Sequence, residues 1–259
     1  ARAIAESLAS GERKAILLGN GAAHHAEASS LLALAQWIAA QTGASVGYLT
    51  EAANTVGAQF VGAQPLQSGL NAGQMLAGGL KAALLLNTEP VYDSAAGAQA
   101  AAALGKAEMV VTLSPFKANM EFSDVLLPIA PFSETSGSFV NAEGRLQSFH
   151  AVVKPLADAR PAWKVLRVLG NLLGVQGLEF ENSQEVLAKA TGAVGRDALS
   201  HLPADRLSNA TDAALSAGTG NAAAPVVASI YQLDSLVRRA TSLQLTADAR
   251  QAAAQGVAA

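Results

Sequence analysis

Along the first half of the chain, short apolar runs alternate with stretches of helical period. Lys14-Ala15-Ile16-Leu17-Leu18 is an apolar run that ends in Gly19-Asn20-Gly21, and a helical pattern follows from about His24 to Gln41. Within it Leu31, Leu34, Ala35 and Ile38 recur at the spacing of one helix face, and Gly43 stands where a left-handed cap belongs. Val46 to Leu49 reads as a second buried strand. From Ala52 to Gly73 no period is sustained and Gly, Gln and Asn supply turn chemistry, which predicts a long loop. The alternation then resumes with a strand over Ala82–Leu86, a helix over Ser94–Leu104, a strand over Met109–Leu113 and a short strand over Val125–Leu127 closed by Pro128. Strands this short, separated by helices, predict an α/β fold with a doubly wound, mostly parallel sheet covered on both faces.

After Pro131 the pattern changes. Ser138-Phe139-Val140 and Leu146-Gln147-Ser148-Phe149 flank Asn141-Ala142-Glu143-Gly144, a turn sequence, and together they predict a hairpin. Pro161 opens a helix in which Ala162, Val165, Leu166, Leu169, Leu172 and Leu173 form one apolar face, expected to be buried, and Gly174 stops it. Ser183 to Ala190 predicts a shorter helix with Ser183 as its N-cap. From Gly192 to Ala224 small and polar residues accumulate and the period is lost, which predicts a linker or surface excursion. Val226 to Tyr231 then predicts a strand, Leu233 to Arg239 a helical turn or two, and the Ala/Gln-rich tail a solvated helix or frayed end. The implied organisation is an α/β nucleotide-binding-like domain over 1–132, a hairpin and helices joining an adjoining domain over 133–191, and an Ala/Gly-rich linker with a C-terminal segment over 192–259.

Composition narrows the functional classes. A chain of 259 residues that is 51% hydrophobic can bury a substantial core, so disorder is not expected. A net charge of −3 without any Lys/Arg cluster predicts no nucleic-acid partner. The longest charge-free runs are broken by Gln, Ser, Thr, Asn and Gly, so direct membrane insertion is not expected either. The chain has no cysteine, which excludes disulfides, thiolate catalysis and cysteine-ligated zinc or iron–sulfur clusters within it. Its first residues, Ala1-Arg2-Ala3-Ile4, carry neither an initiator Met nor a signal-peptide pattern and read as the start of an internal piece.

Candidate chemistry is sparse. Gly19-Asn20-Gly21-Ala22-Ala23-His24 resembles a dinucleotide fingerprint with His24 in place of the third glycine, and Glu51 follows the second strand where such folds place a ribose-binding carboxylate. A tight structural turn is the competing reading. His24 and His25 are adjacent, while His150 and His201 are distant, so no metal-ligand spacing exists. Glu134 and Glu143 could pair as catalytic carboxylates, yet Glu143 stands in the hairpin turn beside Gly144 and Arg145, where a local ion pair or turn hydrogen bond is expected. Ser136 and Ser138 have no Gly-x-Ser-x-Gly elbow and no assigned base. Trp163, in a first helical turn, is expected to pack onto its own domain. The sequence therefore assigns no catalytic, cofactor-binding or metal-binding residue.

The run from Ser123-Asp124-Val125-Leu126-Leu127-Pro128 through Glu134-Thr135-Ser136-Gly137 to Asn141-Ala142-Glu143-Gly144-Arg145-Leu146-Gln147 resembles an ordered segment of the molybdopterin-dependent oxidoreductases. Within them, Lys154-Pro155-Leu156, the run from Ala159-Arg160-Pro161-Ala162-Trp163 to Gly174, and Asp234-Ser235-Leu236-Val237-Arg238-Arg239-Ala240 with Ser242-Leu243-Gln244 are similar to the large iron–sulfur subunit of NADH-quinone oxidoreductase, respiratory complex I, in its molybdopterin-oxidoreductase-like region. That resemblance implies a peripheral-arm subunit that helps relay electrons from NADH to quinone, with iron–sulfur clusters upstream and no molybdopterin or other cofactor in this segment. It implies other peripheral-arm subunits and the upstream iron–sulfur domains as partners. It also implies a cytoplasmic location, peripheral on the inner face of a bacterial plasma membrane, while the C-terminal β-barrel expected in the cofactor-bearing enzymes is not expected here, where the sequence runs to Ala259 in an alanine-rich tail. The alternatives are a nucleotide-binding fragment of a molybdopterin enzyme such as a formate dehydrogenase, and an NAD-binding dehydrogenase domain that uses the Gly19 turn.

Overall fold

A computed structural model describes residues 2–65, 68–192, 208–215 and 229–256. The order runs α1 (Arg2–Ser10), β1 (Ala15–Leu18), α2 (Asn20–Ala23), α3 (Ala28–Thr42), β2 (Ser45–Tyr48), α4 (Thr55–Phe60), α5 (Ala72–Leu76) and β3 (Ala82–Leu86). It continues with α6 (Pro90–Asp93), α7 (Ala98–Leu104), β4 (Met109–Ser114), β5 (Val125–Pro128), a 3₁₀ turn at Phe132–Glu134, β6 (Gly137–Val140) and β7 (Leu146–Phe149). The helices α8 (Ala162–Leu172), α9 (Ser183–Thr191), α10 (Ile230–Leu233), α11 (Ser235–Arg239), α12 (Thr241–Gln244) and α13 (Ala247–Gly256) follow. The contacts divide into two compact units, one of Ala1–Ala63, Phe139–Gln147 and Leu199–Val227, the other of Gln64–Ser138, Ser148–Ala198 and Ala228–Ala259.

The α/β expectation holds, with the parallel strands shared between two sheets. In the first unit β1 pairs with β2 in parallel, from Ala15↔Ser45 to Leu18↔Tyr48. The helix between them ends where Gly43, at φ 72°, donates its N–H to the Ala39 carbonyl at 2.7 Å. A parallel pair needs such a crossover, because a tight turn can only reverse the chain. The helix expected from His24 starts only at Ala28, since the Glu27 N–H turns aside to His25 Nδ1 at 3.0 Å, and a separate one-turn helix, α2, precedes it. The predicted loop over 52–73 is also corrected: it contains α4 and the start of α5. Asn71 and Gln74 form a reciprocal capping box at α5, a short-range pattern that glycine richness had masked. Phe60 of α4 is buried with Val140 of the hairpin, and Asn54 Oδ1 accepts the Val140 N–H at 2.8 Å. The same Asn54 atom lies 2.1 Å from where a Cβ on Gly57 would stand, so a side chain there would have to displace the carboxamide that holds Val140.

In the second unit the strand order is β3-β4-β5, all parallel, and β4 runs through the middle. Val110, Thr112 and Leu113 on β4 are fully buried, as expected for a parallel strand covered on both faces. Leu104 at the end of α7 packs with Val110 and Phe122, surrounded by Leu76, Leu80, Leu85 and Val91. Thr112 is the polar exception, and its hydroxyl is satisfied by Ser123 Oγ at 2.7 Å. Pro128 is tolerated because β5 is an edge strand, where a missing N–H breaks no ladder. Of the helix predicted over 94–104 only 98–104 is helical, as α7, because Gly97, at φ 47°, breaks the backbone before it, and Pro90 starts a separate one-turn helix, α6, ahead of the predicted range.

The hairpin of β6 and β7 forms as expected. Asn141, not Glu143, organises its turn, by accepting the Glu143 and Arg145 N–H groups at 3.0 and 2.9 Å. The cap of α9 is Asn182, whose side chain accepts from the Glu185 N–H, one residue before the expected Ser183. The C-terminal end of the apolar face on α8 is open rather than buried, with Leu172 80% and Leu173 72% exposed. Of the strand expected over 226–231, residues 226–228 lie outside the described residues. The remainder begins a helix, because the Ser229 hydroxyl accepts the Tyr231 N–H and caps α10. Most of the expected linker also lies outside the described residues, but within 208–215 Asn209 donates to the Val46 carbonyl on β2 at 3.2 Å.

Candidate functional site

Parallel sheets collect ligands at the carboxyl ends of their strands, where loops and helix N-termini converge. At that edge of the first unit, β1 ends and Gly19 turns the chain into α2, its carbonyl accepting the Ala22 and Ala23 N–H groups, both at 3.0 Å. Gly19 has φ −111°, and Gly21 is not among the glycines of positive φ, so neither conformation demands glycine. A Cβ on either would meet nothing within 4 Å. The small residues therefore leave open space above the turn rather than serve the packing beneath it.

The structure brings His24 and Glu51 together across this edge. His24 Nε2 lies 2.6 Å from Glu51 Oε2, with the two side chains 46% and 40% exposed. The turn thus presents a histidine–carboxylate contact rather than a third glycine beneath a phosphate. Because both groups are well solvated, Glu51→Gln is expected to change the unfolding free energy by no more than about 0.5 kcal/mol, a shift that added salt should erase. Thermal unfolding at two ionic strengths checks this.

The other residues raised by the sequence fall into local roles. His25 serves the backbone of Glu27, as above, and His201 lies outside the described residues. Glu134 Oε2 accepts the Leu156 N–H at 3.0 Å, a contact that fixes the loop before α8. Ser138 and Ser148 share a hydroxyl hydrogen bond at 2.8 Å across the hairpin. Ser136, His150 and Trp163 border a cavity beside it. Among the described residues no group of three or more His, Cys, Asp or Glu is placed to hold a metal ion. No helix among them is long and apolar enough to cross a membrane.

The strongest electrostatic cluster was not foreseen. Glu89 follows β3 through the left-handed Asn87 (φ 48°) and precedes Pro90, and it is only 7% exposed. Arg239 donates to Glu89 Oε1 at 2.7 Å and to Oε2 at 3.0 Å, while Arg238 donates to Oε1 at 2.9 Å and reaches Asp93 at 3.3 Å. The guanidinium of Arg238 lies 4.6 Å from the Tyr92 ring centre and that of Arg239 4.2 Å from that of Phe116. Burial alone would push the Glu89 carboxyl up. The hydrogen bonds from Arg239 and Arg238, with their charges, outweigh it and hold the carboxyl below the ordinary 4.5. This clamp fastens α10 and α11 to the carboxyl end of β3. Its partners are 149 and 150 residues apart, and the adjacent arginines in a last helical turn were the sole local sign of it.

Residues 1–172 match the family described as molybdopterin oxidoreductase. A Bacillus subtilis protein, YjgC, named a probable oxidoreductase, is 36% identical over 70 residues, which are 27% of this chain and 7% of that protein. A Staphylococcus aureus (strain bovine RF122 / ET3-1) protein, named provisionally as a formate dehydrogenase, is 42% identical over 53 residues, 20% of this chain and 5% of that protein. A second such S. aureus protein, from strain USA300, is 40% identical over 53 residues. The chain thus matches only a small fraction, 7% and 5%, of the length of these curated relatives.

Proposed function

This chain belongs to the molybdopterin oxidoreductase family, and on that premise we propose that it is a non-catalytic, partner-binding part of the large iron–sulfur subunit of NADH-quinone oxidoreductase. In this reading it scaffolds the peripheral arm, while iron–sulfur clusters elsewhere in the same polypeptide carry the electrons from NADH towards quinone. The observation that carries the reading is the turn after β1, where the chain's own His24 and Glu51 meet at the edge a nucleotide would occupy. A pterin dinucleotide or NAD would bring a pyrophosphate there. The donor set does not fit it: no Lys or Arg occurs from Gly19 to Glu51, and the Glu51 carboxylate would repel the anion. The helix α2 is a single four-residue turn, too short for a macrodipole to compensate.

A second reading, a nucleotide-binding fragment of a formate-dehydrogenase-like enzyme, draws on the open space above Gly19 and Gly21 and on the names of the two staphylococcal relatives. Calorimetric titration of the chain with NADH, GTP and molybdopterin guanine dinucleotide separates the two. At the Gly19 turn the scaffold reading expects affinities no better than about millimolar, roughly 4 kcal/mol. Micromolar binding of any of them at the Gly19 turn overturns it and favours the enzyme. In cells, tagging the chain's native full-length protein is expected to recover iron–sulfur subunits of the respiratory complex. Recovery without them also overturns the scaffold reading.

A further inference from the structure

A cavity of about 240 Å³ opens beside the base of the hairpin, between its strand ends and the helices α8 and α9. Its walls are largely apolar and aromatic, with Phe149, Trp163 and Leu187 contributing most of the bulk. No Asp, Glu, Lys or Arg lines it. A phosphate, carboxylate or ammonium entering would lose hydration without a countercharge, so the chemistry selects an uncharged ligand.

The lining also carries unused hydrogen-bonding capacity. Among the described residues the Trp163 indole N–H, both His150 ring nitrogens and the Gln184 carboxamide nitrogen have no protein partner. The Ser138 and Ser148 hydroxyls bond each other at 2.8 Å. Two hydroxyls hold two donors and their mutual bond uses one, so one hydrogen of this pair remains to be given. The aromatic wall is set by the backbone opposite it: a Cβ on Gly137 would come within 2.5 Å of Phe149 Cζ, so only glycine lets this ring lie against the strand. An apolar bowl with a few convergent polar groups is the usual form of a small-molecule site.

From this geometry we propose that the cavity binds an uncharged, planar heteroaromatic ring of nucleobase size. The ring stacks on the aromatic side chains and takes hydrogen bonds from the serine pair, Gln184 and the Trp163 indole. The volume lies under the roughly 300 Å³ at which pockets begin to hold drug-sized ligands, which limits the occupant to a ring system with little attached.

The test uses the intact chain with Trp37→Phe, because the sequence has two tryptophans and Trp163 then reports alone. Adenosine and guanosine are titrated while Trp163 fluorescence is followed. Saturable quenching with a dissociation constant between about 10 μM and 1 mM is expected, and Gln184→Ala or Ser138→Ala should weaken it about tenfold. Circular dichroism melts of these two variants, expected to match the parent, keep a loss of binding distinct from a loss of fold. Adenosine triphosphate should bind no tighter than adenosine. Lack of saturation up to about 10 mM, undiminished affinity in both variants, or a preference of about tenfold for the triphosphate each overturns the proposal. Binding of N-acetyltryptophanamide without either nucleoside also overturns it, and would mark the cavity as a socket for a protein side chain.

Discussion

Glu89→Gln is expected to lower the unfolding free energy by about 3–5 kcal/mol at neutral pH, the usual cost of removing one member of a buried ion pair. The substitution keeps the shape of the side chain but leaves Arg238 and Arg239 facing a neutral amide in a site from which water is largely excluded. Arg238, with only 12% of its side chain exposed, retains Asp93 at 3.3 Å as its remaining carboxylate. The same clamp gives stability a pH dependence of definite sign. The folded Glu89 carboxyl titrates below the unfolded value of 4.5, so its contribution is fully present above that value and is lost as pH falls through the folded one. Urea unfolding from pH 7 downwards should therefore show the parent and Glu89→Gln curves converging only below about pH 4.5. A gap that stays constant to pH 3 would show that the charge of Glu89 contributes nothing.

Leu104→Ala should cost about 2–5 kcal/mol, because it empties the centre of the second unit's core next to the fully buried Val110. Leu172→Ala, by contrast, should change stability by about 0.5 kcal/mol or less, since its side chain is already in water. The two leucines are equally apolar and both stand near helix ends, so the comparison isolates burial. Chemical denaturation of both variants, followed by far-ultraviolet circular dichroism, reads the difference. A Leu172→Ala cost comparable to that of Leu104→Ala would mean that the end of α8 is covered in solution.

The candidate site was half legible. Gly19-Asn20-Gly21 and Glu51 each stood out by position relative to a strand, because the strand-to-helix turn is a local pattern. That His24 would reach Glu51 was not legible, since it depends on β1 and β2 pairing with Leu18 opposite Tyr48. The hairpin cavity was less visible still: Ser136 and Ser138 lie about 25 residues before Trp163 with no pattern joining them, and α9, which closes one side, carries no sign of its destination.

What the sequence determined by itself is what short-range physics controls. Ala82–Leu86 and Met109–Leu113 announced strands as short, largely apolar runs, Gly43 and Gly174 stopped helices through the left-handed backbone that glycine adopts readily, and Asn141 to Gly144 turned the hairpin. Only the tertiary structure decided the division of the parallel strands between two sheets, the exposure of Leu172 and Leu173, and the meeting of Glu89 with Arg238 and Arg239. The physical reason is common to all three. A period in the sequence says which face of an element is apolar, but the free energy of that face, or of a charge, depends on what covers it, and the covering residues here lie up to 150 positions away.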